Sequence, residues 1–208
     1  GYRRDASWYL RDLDLTPSND QNYLISFEGA NITTDVYCNG QLVGTHVGGY
    51  VGFEFDITPY LSDDGNNELA VRVDNSYNPD VIPSQKADFF IYGGIVRDVW
   101  LKTLPKHYIA KVAISTPQVT DNTAQTVAHV NLNSDCDNCK IISEISESSS
   151  NDRVLQSTVS VTEQNHVINF DQLSNPRLWS PQSPTLYQVT TKLYKDESLI
   201  DTVTETIG

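Results

Sequence analysis

The residues with the most chemistry to offer stand together at 88–100, reading Asp-Phe-Phe-Ile-Tyr-Gly-Gly-Ile-Val-Arg-Asp-Val-Trp. An ionised Asp88 can accept two hydroxyl donors at once and can help hold a cation, while Phe89, Phe90 and Tyr92 offer apolar or stacking surface. Gly93 and Gly94 permit a bulge or a close backbone approach, and Arg97 and Asp98 can form an ion pair or bond backbone carbonyls that fix a loop. Each has a plainer reading. An aspartate ahead of aromatics commonly caps a surface turn, and strand-end aromatics commonly pack into a core or an interface.

The remaining reactive side chains point to structure. Cys136 and Cys139 have the spacing of a thiol redox pair, yet no βαβ pattern surrounds them, and a zinc ribbon needs a second such pair. They read as loop or strand-end cysteines that an oxidising compartment would join. Three cysteines cannot all pair within one chain, and Cys38, alternating with Val36, is expected as a buried thiol. The run Asp63-Asp64-Gly65-Asn66-Asn67 lacks the downstream glutamate of a calcium loop and reads as an ordinary turn. His46, among glycines and aromatics, reads as a turn or interface residue, so no metal ligand and no catalytic residue is assigned.

These groups must be positioned by 208 residues, more than the roughly 100–150 of a common single domain, so two domains are expected. The 14 basic residues against 27 acidic ones give a net charge of −13, which repels a phosphate backbone and argues against nucleic acid. No apolar run approaches the roughly 20 residues that span a bilayer, and no basic-then-apolar leader opens the chain, so no membrane partner is expected. With no Met at all, the natural start is expected to lie upstream, the chain being part of a longer product.

Strand patterns dominate. Tyr23, Ile25 and Phe27 alternate with Leu24, Ser26 and Glu28; Phe53, Phe55 and Ile57 alternate with acids; Leu69, Val71 and Val73 alternate with Ala70 and Arg72. Asn39-Gly40 between two β-prone runs supplies the positive φ angles of a type I′ hairpin. No stretch holds apolar side chains at helical spacing with credible caps, so the fold class is all-β, and composition shifts near residue 104. The second half offers strands at 109–115, 126–132, 140–146, 154–161, 166–170, 187–194 and 199–206, the count of an immunoglobulin-like sandwich. Trp179, Pro181 and Pro184 read as packing for the end of that sandwich.

Several segments in order carry a family resemblance: Ser7-Trp8-Tyr9-Leu10-Arg11, Val36-Tyr37-Cys38-Asn39-Gly40, Val43 to Tyr50, Phe53 to Thr58, Gly65 to Val71, the 88–100 run, and Leu178-Trp179-Ser180-Pro181 before Leu186-Tyr187. Singly they are weak; in this order the chain resembles the two non-catalytic N-terminal domains of family 2 glycoside hydrolases, the β-galactosidase, β-glucuronidase and β-mannosidase group. The resemblance implies a galactose-binding-like jelly roll over 1–104, missing its first strands, and an immunoglobulin-like β-sandwich over 105–208. It also implies a retaining, β-galactosidase-like glycosidase as the parent, with its two catalytic glutamates in a following (β/α)8 barrel, for which Thr204 to Gly208 looks like the lead-in.

Retaining hydrolysis needs two carboxyl groups about 5–5.5 Å apart, and no such pair is presented here. Asn67-Glu68 superficially matches the family's acid/base dipeptide but reads as a solvated turn. By position, the resemblance makes Asp88 the acidic residue that reaches toward the barrel and bonds hydroxyls of the terminal sugar, with Phe89 and Tyr92 beside it. The implied partner is a terminal β-galactoside held jointly with the barrel, a cation near the sugar belongs to the parent, and this stretch needs no cofactor and is inactive alone. The parent is a candidate homo-oligomer, expected in the periplasm or secreted, a cytoplasmic setting staying open. The rival readings are a stand-alone carbohydrate-binding module, a β-glucuronidase or β-mannosidase parent, and an immunoglobulin-like interaction protein.

Overall fold

A computed structural model of the chain describes residues 4–81 and 90–208. The chain divides into two compact units, Gly1–Lys106 and His107–Gly208. Each is a sandwich of antiparallel sheets, and among the described residues there is no α-helix, only one 3-10 turn at Thr58–Tyr60.

In the first unit, one sheet holds β1 (Ala6–Asp14), β4 (Thr33–Cys38), β5 (Gln41–Val47) and β7 (Asn66–Asp74) in the order β1-β7-β4-β5. The facing sheet holds β2 (Gln21–Phe27), β6 (Phe53–Asp56) and β9 (Val99–Pro105) in the order β6-β2-β9, and a short pair joins β3 (Ala30–Asn31) to β8 (Gly94–Ile95). Period-two alternation decides the faces: on β7, Leu69, Val71 and Val73 are buried while Glu68, Ala70, Arg72 and Asp74 turn outward. The inward set meets Tyr23, Ile25 and Phe27 of β2, and Val36 of β4 completes this core. Cys38 is fully buried beside them, and burial raises its thiol pKa. The β4–β5 hairpin turns through Asn39 at φ 50° and Gly40 at φ 75°, the left-handed pair that Asn-Gly supplies at low cost.

The expected solvated turn at Asn67-Glu68 is corrected in part. Glu68 is exposed, but Asn67 is 4 % exposed on β7 and acts as a bracket. Its Oδ1 accepts from the Ser62 amide and from Asn39 Nδ2, each at 2.7 Å, and its Nδ2 donates to the Leu15 carbonyl at 2.8 Å. A side-chain amide facing partners from three loops is worth burying, because every polar group on it is satisfied.

The second unit pairs β10 (Ile109–Val119), β11 (Thr123–Leu132) and β14 (Asn165–Asn169), with β15 (Leu173–Ser174) added to one end of β11. Its second sheet runs β13-β12-β16-β17, made of β12 (Cys139–Glu147), β13 (Arg153–Ser160), β16 (Tyr187–Lys195) and β17 (Ser198–Ile207). The core is Val130, Leu132 and Ile168 against Ile141, Ile145 and Leu193. Ser143 and Thr191 are among the polar side chains buried with it, directly opposite one another and hydrogen-bonded at 2.9 Å. Trp179, expected to pack the end of this sandwich, is 51 % exposed and lies with Leu186 against Gly208, just past the end of β17.

Cys136 and Cys139 form a disulfide and both lie in this core, at 4 % and 5 % exposure. Closing so short a loop removes little chain entropy, up to about 2 kcal/mol. Reduction is therefore expected to speed amide exchange along β12 while leaving β2 and β7 unchanged; equal acceleration in both units would contradict this.

Candidate functional site

After residue 89 the chain buries Ile91, exposes Tyr92 and Gly93, and turns inward again at β8, where Gly94 is buried and Ile95 packs against the first core. Ile91 is 2 % exposed and anchors it, whereas Phe90 and Tyr92 on either side are 66 % and 67 % exposed, their rings 6.4 Å apart and inclined by 38°. Two side chains hold the backbone between them and β8. Asn31, fully buried, donates from Nδ2 to the Tyr92 carbonyl at 2.8 Å, and the Tyr50 hydroxyl donates to the same oxygen at 3.5 Å. β8 then pairs with β3, Gly94 opposite Asn31 and Ile95 opposite Ala30.

The two glycines are dictated by what lies behind them. Gly94 has φ 89°, and a Cβ there would lie 2.4 Å from the Tyr9 hydroxyl, which itself accepts from the Ile95 amide at 3.4 Å. At Gly93 a Cβ would meet the Asn75 side chain at 2.4 Å, while Asn75 Oδ1 accepts from the Asp5 amide at 3.1 Å. Beyond β8 the chain is tied by its backbone, the Val96 amide donating to the Gly29 carbonyl at 3.1 Å and the Glu28 amide to the Asp98 carbonyl at 3.0 Å. Arg97 and Asp98 are exposed, and among the described residues their side chains form no ion pair with one another. Asp88 and Phe89 lie outside the described residues. The sequence reading selected Tyr92 and the glycines but passed over Tyr9, Asn31, Tyr50 and Asn75, whose partners are up to 86 residues away and leave no local signal.

His46 lies on the inward face of β5, its ring stacked 4.1 Å from Phe53 at 10°, and Phe53 stacks in turn on Phe27. Its Nε2 is buried with no hydrogen-bond partner, so burial favours the neutral imidazole and lowers the pKa below the usual 6.5. A group whose folded pKa is lowered contributes stability that is present above 6.5 and lost as the pH falls through the folded value. Between about pH 8 and pH 5 the urea midpoint of the first unit is expected to fall further than in a His46→Phe chain. Parallel curves for the two would remove His46 from the account. Among the described residues no three His, Cys, Asp or Glu side chains gather as metal ligands.

Comparison with known proteins assigns both units. The family model described as the sugar binding domain of glycosyl hydrolases family 2 matches residues 3–105, and that described as glycosyl hydrolases family 2 matches 107–208. A putative beta-glucuronidase of Formosa agariphila is 41 % identical over 210 residues, covering 100 % of the chain and 25 % of the relative. A beta-galactosidase of Thermoanaerobacter pseudethanolicus is 34 % identical over 218 residues, covering 99 % of the chain and 28 % of the relative. Among solved structures, a putative beta-galactosidase from Bacteroides fragilis superposes with a TM-score of 0.89 at 28 % identity, covering 100 % of the chain and 33 % of that structure. The Bacteroides uniformis beta-glucuronidase gives 0.88 at 29 %, covering 100 % of the chain and 26 % of that structure. The chain thus spans 25 % to 33 % of the length of these relatives. With a sugar-binding sandwich and a second sandwich matched in succession along nearly its whole length, the chain belongs to family 2 of the glycosyl hydrolases.

Proposed function

We propose that these residues are the non-catalytic N-terminal portion of a retaining β-glycosidase that removes terminal β-linked sugars, and that the 88–94 segment forms one wall of its sugar site. The observation that supports this reading is the braced projection. Asn31, Tyr50 and the close approach at Gly94 fix a backbone that displays Phe90 and Tyr92 to solvent, two and four residues past Asp88 in the sequence. Exposed aromatics on a rigid support suit the apolar face of a sugar, and the Asp88 carboxylate can accept from two of its hydroxyls. That contact needs no metal. The paired carboxylates that break the bond belong to a further domain of the whole protein, and these residues alone hydrolyse no glycoside.

The substrate proposed is a neutral terminal sugar, a β-galactoside. A carboxylate at the sugar would repel a uronate's own carboxylate, and the net charge of −13 adds to that field. The second reading, a β-glucuronide, is favoured by the relative of 41 % identity. The buried disulfide supports an exported or periplasmic setting. The whole gene product assayed on aryl β-galactoside, β-glucuronide and β-mannoside separates the two. Preference for the galactoside supports the neutral-sugar reading, preference for the glucuronide replaces it, and hydrolysis of none by the full-length protein defeats the glycosidase proposal.

A further inference from the structure

The outer face of the β1-β7-β4-β5 sheet carries chemistry that neither the core nor the 90–98 projection uses. Register aligns Leu10, Ala70, Tyr37 and Leu42 in one row across the four strands. Leu10 is 70 % and Leu42 51 % exposed, and the small Ala70 leaves the middle of the row open. The next row is Trp8, Arg72, Asp35 and Thr45, about 7 Å along the strands. Trp8 is 56 % exposed, and its ring meets that of Tyr37 diagonally at 5.7 Å, inclined by 36°.

The polar members of that second row are held in place before any ligand arrives. Arg72 bonds Asp35 at 3.0 Å and Asp74 at 2.5 Å, and Asp35 also accepts the Thr45 hydroxyl at 2.7 Å. A tilted aromatic pair thus flanks a fixed line of donors and acceptors, at a spacing close to the width of a pyranose ring with its hydroxyls. Single exposed apolar side chains need no explanation, but Trp8, Leu10, Tyr37 and Leu42 are neighbours by register, and a contiguous apolar patch with a polar rim marks an interaction site.

Charge narrows the occupant. The third row sets Asp12 directly opposite Glu68, an arrangement that costs stability and projects negative potential over the face. Uronates, phosphates and acidic peptides are repelled, and a second copy would set the same acidic row against its own in a chain of net charge −13. An aromatic pair beside fixed hydroxyl-bonding groups suits a neutral ligand with one apolar face and a hydroxyl rim. We propose that this face is a second carbohydrate-binding surface, taking a neutral glycan chain whose rings stack on Trp8 and Tyr37 and whose hydroxyls bond Asp35 and Arg72. The choice of a glycan rests on the proposed function.

The test titrates the 208-residue chain with neutral β-linked gluco-, manno- and galacto-oligosaccharides and with a uronate oligosaccharide, following affinity by calorimetry and association state by sedimentation. Binding of at least one neutral series is expected. Trp8→Ala should weaken it by about tenfold or more, while Trp179→Ala, which removes an equally exposed indole from the other unit, should leave it unchanged. The inference is overturned if no neutral oligosaccharide binds, if the uronate binds better, if both tryptophan variants lose affinity equally, or if the chain is a dimer that Leu42→Glu dissolves. Failure of the proposed function shows elsewhere, as unchanged hydrolysis by the whole protein carrying Asp88→Ala.

Discussion

Replacing Asp88 with alanine in the whole protein is expected to lower kcat/KM on its preferred aryl glycoside by about 100- to 1000-fold. Two hydroxyls donating to one carboxylate form charge-assisted bonds, and their loss in the transition state corresponds to about 3–4 kcal/mol. The effect should fall on kcat as well as KM if the bonds tighten as the ring distorts toward the transition state. Asp88→Asn keeps one acceptor and the side-chain shape, so it should fall between the wild type and Asp88→Ala. Melting temperatures measured beside the kinetics separate loss of a sugar contact from loss of the fold. A kcat/KM within about twofold of wild type in Asp88→Ala would mean that the aspartate only caps a turn.

How much of this could be read from the chain depends on how local each signal is. Alternation on β7 and the Asn39-Gly40 turn need only neighbouring residues, and both appear in the structure where the sequence places them. The seven strands expected in the second half are likewise present, as β10 to β14, β16 and β17; only the two-residue β15 escaped, being too short to show a period. What escaped elsewhere is set by contacts between distant strands. Asn67 reads as a turn residue because it stands in the run Gly-Asn-Asn-Glu-Leu entering a strand, yet it is buried among partners at positions 15, 39 and 62. Trp8 and Tyr37 share a platform only because β7 lies between their strands in a particular register. Trp179 reads as packing for the end of the second sandwich, and there it stands half exposed with its side chain against Gly208, just past the end of β17.

The same dependence on distant partners makes Gly94 the position where one methyl group should do most damage to the first unit. Gly94→Ala forces an L residue to φ 89° and drives its Cβ to 2.4 Å from the Tyr9 hydroxyl. The left-handed backbone alone costs about 1–2 kcal/mol, and displacing Tyr9 forfeits its bond from the Ile95 amide, for a total of about 2–4 kcal/mol. For a unit of this size that lowers the melting temperature by roughly 10–20 °C. Gly40→Ala separates the two contributions, since φ is 75° there but nothing lies within 4 Å of the added carbon. It should cost only the backbone share. Tyr9→Phe removes the obstructing oxygen, so the double variant should recover part of what Gly94→Ala loses, a coupling that a double-mutant cycle reads directly. If Gly40→Ala and Gly94→Ala cost the same and Tyr9→Phe rescues nothing, the Tyr9 contact does not brace the projection, and the support argued for Phe90 and Tyr92 rests on Asn31 and Tyr50 alone.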